Sequence, residues 1–491
     1  MSRISRYAWP ALAVFALLLV ACQPQVVEVE VTREVEVLSE VEVTREVEVV
    51  SEVEVTREVE VPVEVVPGRC AQPLDEVSEI LIGATAPLSA PGSVNGGLAM
   101  QWAFNIAVDH INADGGVLGK PVNMIFYDTE GLSERGTAVM ERLITQDCVP
   151  AVVGEYHSAV GLTMKEVAHK YHVPTVFAET WNDDITGVGY DEVFRIAPTS
   201  SMVAGADAAY MSDLGLEFVV ITAENSDYGV PAAAALEEKL AAVGIDSETY
   251  LVEMGQQDMV PVITRIQAGP APDAVIALIT GETSYNFEQQ AAEAGLMPND
   301  DTICIANQVA INPEFWLNVP DGNWCAFRKV GLVPSLANDV TDRFQADYRT
   351  KFDRFPESYA LESYDAMLIM ADAIERAGSL DPDAIIAALE ATDIELTQGR
   401  YYFPYTSANS SVDRECVDGL IDEGGYGSKC ALQGDDVPEG TPGYMWHQWP
   451  DPAVLFIQYF EQGQSADEAA VVFPETYQTH GTNLIPYGTS P

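Results

Sequence analysis

Positive charge is scarce in this chain of 491 residues. The sequence has 24 Lys and Arg against 76 Asp and Glu, which gives a formal net charge of −52 at pH 7. An acidic surface of this kind repels phosphate backbones, so the composition argues against a nucleic-acid-binding protein. Repulsion between like charges also favours a monomer in solution.

The motifs of common enzyme classes are missing as well. The sequence contains no GxSxG turn, no GxGxxG after a strand and no GxxxxGK[ST] phosphate loop. His157 and Ser158 are adjacent, and neighbouring side chains diverge, so they make a poor pair of base and nucleophile. We therefore expect a protein that is not an enzyme, with no catalytic residues and no cofactor.

No apolar run is long enough for a comfortable membrane span, which needs ~20 residues. The longest such run follows Arg3 and Arg6 and ends at Cys22. A basic start, a short apolar segment and small residues before a cut site predict a signal peptide over residues 1–21. The cysteine at the cut site resembles the lipobox of bacterial lipoproteins, which implies lipidation of Cys22. An ordinary signal peptide followed by a chance cysteine is the alternative.

The segment after Cys22 is a repeat in which VEVTREVEV occurs at residues 29–37, 41–49 and 53–61. Its alternation of Val and Glu is typical of a strand and does not give an amphipathic helix. A lone strand has no partner, and the acidic charge keeps such a segment extended. The pattern predicts that residues 22–70 are a lipid-anchored tether. The alternative is a β stalk formed between copies through their Val faces.

The seven cysteines fit an oxidising compartment. Lipidation of Cys22 leaves six, and the shortest loops predict the pairs Cys70–Cys148, Cys304–Cys325 and Cys416–Cys430. No CxxC spacing indicates a zinc site. His169 and His172 are three residues apart on a predicted helix, but no third metal ligand accompanies them, so we expect no metal site.

From Glu79 onward, buried strand patterns alternate with helical patterns of 12–18 residues. VNMIFYD, VPAVVG, FVVITAE and AVIALITG are examples of the strands. Continuous apolar strands that alternate with helices predict parallel sheets covered on both faces. Roughly 420 residues are too many for one core. The sequence therefore predicts an α/β fold with two doubly wound lobes.

Polar and aromatic side chains follow several of these strands. In open α/β sheets, ligands bind beyond the carboxyl ends of the strands. Side chains of this composition suit a small polar solute. The predicted ligand-binding residues are Tyr156, Ser158, Glu179, Thr180, Trp181, Tyr228, Thr280, Glu282 and Gln308.

Several longer stretches together carry a family resemblance. They include INADGGVLGKPVNMIFYDTEG, AVVGEYHSAVGLTMKEVAHKYHVPTVFAETWNDDIT and ENSDYGVPAAAALEEKLAAVG. In this order the chain resembles the type I periplasmic binding proteins, and most closely the leucine/isoleucine/valine-binding family of ABC importers. The resemblance implies two lobes joined by a three-segment hinge, with crossings near 197–200, 330–334 and 395–400. The expected lobes are 78–197 with 332–397 and 198–331 with 398–482, the second including an insertion at 404–445.

The resemblance also assigns roles to candidate residues. Ser158 matches the family's serine for the ligand carboxylate, and Tyr228 matches a tyrosine that packs on the ligand. Glu179 and Trp181 stand where the family has a small residue and a threonine. The family's acidic partner of the ligand ammonium aligns near the neutral Gln308, and Glu179 or Glu282 can replace it. A branched-chain amino acid is the default ligand, while urea, amides and cations remain open.

The expected function is that of a binding lipoprotein of an ABC importer. Such a protein is held outside the cytoplasm at a bacterial membrane by its lipid alone and delivers its solute to a permease driven by separate ATPase chains. A ligand sensor that reports to a receptor is the alternative. The insertion stapled by Cys416–Cys430 is expected on the surface, although it can instead line the cleft.

Overall fold

The computed structural model describes residues 68–491, except residues 71, 423 and 424 and the side chain of residue 334. The predicted signal peptide, the lipidation site at Cys22 and the Val/Glu repeat lie outside the described residues. The described residues belong to one compact unit, Glu64–Pro491. Within them, no helix combines the length and apolar character that crossing a membrane requires.

Strands and helices alternate through most of the described chain. The strands are β1 (Ile80–Ala86), β2 (Val122–Asp128), β3 (Ala151–Gly154), β4 (Thr175–Phe177), β5 (Val193–Arg195), β6 (Phe218–Glu224), β7 (Asp246–Val252), β8 (Ala274–Leu278), β9 (Ile303–Ala306), β10 (Ala326–Val330), β11 (Asp393–Leu396), β12 (Gly399–Tyr402), β13 (Ser411–Val412), β14 (Leu432–Gln433), β15 (Val454–Gln458) and β16 (Ala470–Phe473). The helices are α1 (Val94–Ala113), α2 (Ser133–Thr145), α3 (Ser158–Tyr171), α4 (Asp184–Gly187), α5 (Ser200–Asp213), α6 (Gly229–Ala242), α7 (Val260–Ala268), α8 (Gly281–Glu293), α9 (Phe315–Asn318), α10 (Asp339–Phe352), α11 (Ser358–Ala377), α12 (Pro382–Glu390) and α13 (Arg414–Asp422).

Two main sheets form the core of two lobes. The first sheet has the order β2-β1-β3-β4-β5, and all its pairs are parallel. The second has the order β16-β15-β10-β9-β8-β6-β7, with β15 and β16 antiparallel at one edge. The predicted α/β fold with two parallel-sheet lobes is confirmed. We call the first sheet and its helices the first lobe, and the second sheet and its helices the second lobe.

The central strands β3 and β8 are buried because each carries a short run of apolar residues without charge. All five residues of β8 (AVIAL) are buried, as are all four of β3 (AVVG).

Helices α5 and α10 begin at local capping signals. Thr199 accepts a hydrogen bond from the backbone N–H of Met202 at the start of α5. Asn338 forms a capping box with Thr341 at the start of α10.

The chain returns to the first lobe after β10. Helix α11 packs against α1 and β3, and α12 packs against α11. The β11–β12 hairpin follows, and Tyr401 from it donates a hydrogen bond to Asp365 of α11. The chain rejoins the second sheet only at β15, which pairs with β10.

The insertion at 404–445, which the sequence leads us to expect in the second lobe, makes hydrogen bonds to the first lobe. Its backbone N–H groups at Gly427 and Ser428 donate to the carboxylate of Asp184 in α4, a first-lobe helix. Gly187 permits this approach, because a Cβ atom there would lie 2.4 Å from the Cβ of Ser428. Gln448 then bridges to Arg195 at the end of β5. Neither contact has a signature in the periodicity of the sequence.

The disulfide pairing predicted from the shortest loops is confirmed. Cys70 is bonded to Cys148, Cys304 to Cys325 and Cys416 to Cys430. The first pair joins the N-terminal end of the described chain to the turn before β3, the second joins β9 to the start of β10, and the third closes the insertion.

The second lobe contains a buried ion pair. Arg328 of β10 donates two hydrogen bonds, of 2.7 and 2.8 Å, to the carboxylate of Asp207 in α5, and both side chains are buried. Asp207→Asn is expected to reduce the free energy of unfolding by about 3–5 kcal/mol, because it leaves the guanidinium buried without its counter-charge. Denaturant titration measures the loss.

The double variant Asp207→Leu with Arg328→Met serves as the control. It removes both charges together, so it should recover most of the stability that the single variant loses. Equal losses in the two variants would contradict this account of the ion pair.

Candidate functional site

Loops from both lobes meet at one small cavity between the two sheets. The loops follow β3 and β4 in the first lobe and β6, β8 and β9 in the second. The cavity is about 20 Å³, counted as room for the centre of a water molecule, which is enough for about one or two waters. Its lining residues are Tyr156, His157, Ser158, Glu179, Trp181, Tyr228, Thr280, Asn307 and Gln308.

Seven of the nine predicted ligand-binding residues line this cavity. The two others are Thr180, which is fully buried beside it, and Glu282, which is exposed in the first turn of α8. The structure therefore brings together the loops that the sequence singled out after each strand. Glu282 lies outside the lining because its helix begins at Gly281, which turns the next side chain toward solvent.

Ser158 links two loops of the first lobe. It is the first residue of α3, and its Oγ accepts hydrogen bonds of 3.1 Å from the backbone N–H groups of Trp181 and Asn182. The serine thus fixes the loop after β4 to the start of α3, and its hydroxyl hydrogen can still be donated. The N-terminus of α3 also presents partial positive charge at this end of the cavity.

Arg195 holds the same loop from the other side. Its fully buried guanidinium donates to the backbone carbonyls of Thr180 and Asn182, to Thr186 Oγ1 and to Gln448 Oε1. Burial lowers the pKa of Arg195 to about 10, so the group stays charged at neutral pH. The loop that carries Glu179 and Trp181 is therefore fixed at both ends.

The two lobes contact each other directly across the cavity. Gln308 Nε2 donates to Glu179 Oε1, and Asn182 Nδ2 donates to the backbone carbonyl of Asp227 at 2.5 Å. The rings of Trp181 and Tyr228 meet edge to face with centroids 6.1 Å apart. A solute larger than one or two waters enters this space only when the lobes move apart, as in hinged two-lobed proteins.

A second carboxyl group lies beside Glu179, and the sequence reading missed it. Glu362 of α11 is fully buried and within hydrogen-bonding reach of Glu179. Burial raises the pKa of Glu179 to about 7 and, together with the negative charge of Glu179, raises the pKa of Glu362 well above its usual value. Two carboxyl groups so placed share a proton at neutral pH.

His157 is neutral at physiological pH. Burial lowers the pKa of its imidazole to about 4, and Nε2 accepts a hydrogen bond of 3.0 Å from the backbone N–H of Ser93. This bond fixes the loop before α1 next to Tyr156, whose ring lies 2.7 Å from where a Cβ atom of Gly96 would be. Glycine at position 96 therefore gives Tyr156 its room.

Three residues of the site were not among the predicted ones: His157, Asn307 and Glu362. His157 and Asn307 directly precede predicted residues, so the post-strand rule already pointed to their loops. Glu362 lies in a helix far along the chain. Its signal is a carboxylate in the helix YALESYDAMLIMADAI, on a face that is otherwise buried. The one cation of this helix, Arg376, pairs with Asp372, and a buried acid without a cationic partner indicates a site.

The two histidines considered as metal ligands have other partners. His169 Nδ1 lies 3.2 Å from Glu192 Oε2, and His172 bridges Glu192 and Asp383. These carboxylates raise the pKa of His172 to about 9, with Glu192 as the larger cause. Across residues 68–491 as described, no group of three or more His, Cys, Asp or Glu side chains is arranged to hold a metal ion.

Comparison with known proteins gives the site its context. The chain matches the family model described as "Periplasmic binding protein" over residues 79–411. Leu/Ile/Val-binding protein homolog 3 of Brucella melitensis is 25% identical over 319 residues, which cover 63% of this chain and 82% of the relative. A Leu/Ile/Val-binding protein of Rhizobium johnstonii is 27% identical, over 64% of this chain and 84% of its own length.

Solved structures agree in fold. The branched-chain amino acid substrate-binding protein LivJ of Streptococcus pneumoniae, solved with isoleucine, has a TM-score of 0.64 at 22% identity and covers 81% of this chain and 100% of its own. A solute-binding protein of an ABC transporter from R. palustris, solved with benzoate, has a TM-score of 0.61 at 16% identity and covers 79% and 98%. One fold thus holds ligands of different chemistry.

The neutral state of His157 makes a prediction about acid stability. The unfolded imidazole takes up a proton near pH 6.5, whereas the folded one does so only near 4. The contribution of His157 to stability is therefore present above 6.5 and is lost as pH falls toward 4, by about 3 kcal/mol. Denaturant titrations between pH 4 and 7 measure it.

His157→Gln is the matched variant, because its amide oxygen can accept the Ser93 N–H without titrating. Buried carboxyl groups with raised pKa values stabilise both proteins as the pH falls, which opposes the effect of the histidine. The difference in unfolding free energy between the two proteins therefore isolates the contribution of His157. If the two pH profiles run parallel, His157 is not the group responsible.

Proposed function

The chain belongs to the periplasmic binding protein family, and from this membership we propose that it is the solute-binding protein of an ABC importer. In this proposal it works outside the cytoplasm, captures a small polar solute between its lobes and delivers it to a permease. The members of the family are binding proteins, and we propose the same for this chain rather than an enzymatic activity.

One observation carries the proposal. Side chains from both lobes line a single cavity and touch across it, through Gln308 with Glu179 and Asn182 with Asp227. Each lobe thus supplies part of one binding surface, which is complete only when the lobes are together. This is the arrangement that couples solute capture to hinge closure.

The names of the relatives indicate which solutes to test first. Several are Leu/Ile/Val-binding proteins by name, so leucine, isoleucine and valine come first. A second candidate class is favoured by the cleft itself. Glu179, Glu362 and Gln308 present more hydrogen-bond acceptors than donors, which suits amides, urea-like compounds or cations.

Solute binding is expected to raise the melting temperature, because a ligand that binds only the folded protein stabilises it by mass action. A thermal-shift screen across amino acids, amides, amines and urea tests this. Tyr228→Ala should weaken the best hit about tenfold to a hundredfold, since it removes a buried aromatic contact of about 1.5–3 kcal/mol.

Tyr487→Ala is the control, because Tyr487 is an exposed tyrosine near the C-terminus. The Tyr487→Ala variant should bind the best solute of the screen with the affinity of the unchanged protein. A screen in which no solute raises the melting temperature would refute the transport proposal. An unchanged affinity in Tyr228→Ala would refute the placement of the site.

We also propose that the protein is a lipoprotein, anchored through Cys22 with the Val/Glu repeat as its tether. The support is the sequence of the leader, with its basic start and its cysteine at the cut site. A lipid anchor at this position leaves the binding lobes attached to the membrane surface without a spanning helix.

Cys22→Ser is expected to release the protein from the membrane fraction, because the thiol that takes the lipid is gone. Fractionation of expressing cells, with detergent extraction, measures the distribution. Cys416→Ser with Cys430→Ser is the control, since it removes cysteines without touching the leader. Membrane retention of Cys22→Ser would contradict the anchor.

A further inference from the structure

We propose that the captured solute is a small organic cation, with a protonated amine or amidinium group and no carboxylate, held by Glu179 and Glu362. This inference rests on the proposed function and narrows its solute class. It follows from the charges, the hydrogen-bond acceptors and the aromatic rings around the cavity.

The cleft holds acids without a free base. No Lys or Arg is among the residues that line the cavity. The two buried guanidinium groups nearby are already engaged. Arg328 is paired with Asp207, and Arg195 donates to backbone carbonyls and side chains of its own lobe. The charge of the Glu179–Glu362 pair therefore has no cation to balance it within this cleft.

Hydrogen-bond acceptors exceed donors in the same space. Glu179 Oε2 and Gln308 Oε1 belong to residues that line the cavity, whereas Glu362 lies beside Glu179 and does not line it; these two atoms and both carboxyl oxygens of Glu362 are buried without a hydrogen-bond donor in the described part of the chain. A proton shared by the two glutamates satisfies one oxygen of each. Trp181 Nε1 is an unpaired donor in the same cavity and can serve one of the remaining acceptors, and the others need N–H donors from a bound molecule, because buried polar groups are rarely left unpaired. An ammonium or amidinium group supplies two or more such donors.

Aromatic rings complete the cation's surroundings. Tyr156, Trp181 and Tyr228 all line the cavity, on both sides of the cleft. The face of an aromatic ring attracts a cation within about 6 Å, and Trp does so most strongly. A carboxylate gains nothing from these faces.

A zwitterionic amino acid fits this charge distribution less well. Its carboxylate would add a negative charge beside two buried acids. The positive elements among the lining residues are three helix N-termini, at Ser158 of α3, at Tyr228 before α6 and at Thr280 before α8, and each carries only about half an elementary charge. Ser158 Oγ accepts from the N–H groups of Trp181 and Asn182, so its single hydroxyl hydrogen is the one hydrogen bond it can donate to a carboxylate.

Binding of a cation should release a proton. Glu179 faces Glu362 and Tyr156, and Glu362 faces Glu179, Asp365 and Tyr401. Burial raises the pKa of Glu179 and of Asp365 to about 7. When the cation binds, the shared proton is released to solvent. The positive charge of the solute then takes the place of the proton beside the two glutamates.

The test compares solutes that differ only in the carboxylate. The pairs are leucine with 3-methylbutylamine, ornithine with putrescine, and arginine with agmatine. Isothermal titration calorimetry at pH 8 should show the better amine binding at least tenfold more tightly than its parent amino acid. Because one proton leaves when the amine binds, its Kd should rise about tenfold for each unit that the pH is lowered from 8 to 7, and buffers of different ionisation enthalpy should report that one proton.

Variants separate the two glutamates. Glu179→Gln should weaken the amine at least tenfold. Glu362→Gln leaves a single carboxylate that ionises without competition, so the pH dependence between 7 and 8 should flatten. Glu288→Gln is the control: Glu288 is also fully buried, with a pKa raised to about 8 by burial, but it bonds Ser284 within α8 and does not line the cavity.

The outcomes distinguish this inference from the proposed function. An amino acid that binds more tightly than its amine, or a solute without positive charge as the only hit, overturns the cation and leaves the transport function standing. A Kd that does not change with pH overturns the proton exchange. If no solute of any class binds, both the cation and the proposed function fail.

Discussion

The guanidinium of Arg195 is the group on which the geometry of the cleft depends. It is buried at the end of β5 and donates to the loop after β4, to α4 and to Gln448, which lies between the insertion and β15. A planar group with donors in a fixed fork suits this task, and lysine cannot replace it. Arg195 therefore fixes three parts of the protein to one another: the loop after β4, the first sheet and the segment at Gln448.

The parallel sheets supply the second constraint. Parallel strands place all their carboxyl ends at one edge, so the loops after β3 and β4 gather in the first lobe and those after β6, β8 and β9 gather in the second. By this rule, the sequence alone predicts that Ser158, Glu179 and Gln308 lie at one site. The disulfide pairs were equally predictable, because two of the three pairs close short loops at low entropic cost and leave Cys70 and Cys148 for each other.

What the sequence did not reveal depends on contacts distant along the chain. Glu362 reaches Glu179 because α11 packs against β3, a contact that periodicity does not encode. The insertion lies on α4 because Gly187 leaves room and Asp184 supplies acceptors. The same fold holds isoleucine or benzoate in other proteins, so the side chains at a cleft, rather than the sheets, decide which solute binds.

The bond between Cys70 and Cys148 has a mechanical consequence. It joins the last residues of the N-terminal segment to the turn before β3, in the first lobe. Any tension carried along the preceding chain therefore enters the protein through the first lobe by a covalent route. The second lobe bears none of that load. The second lobe can therefore move relative to the first without that force acting on it.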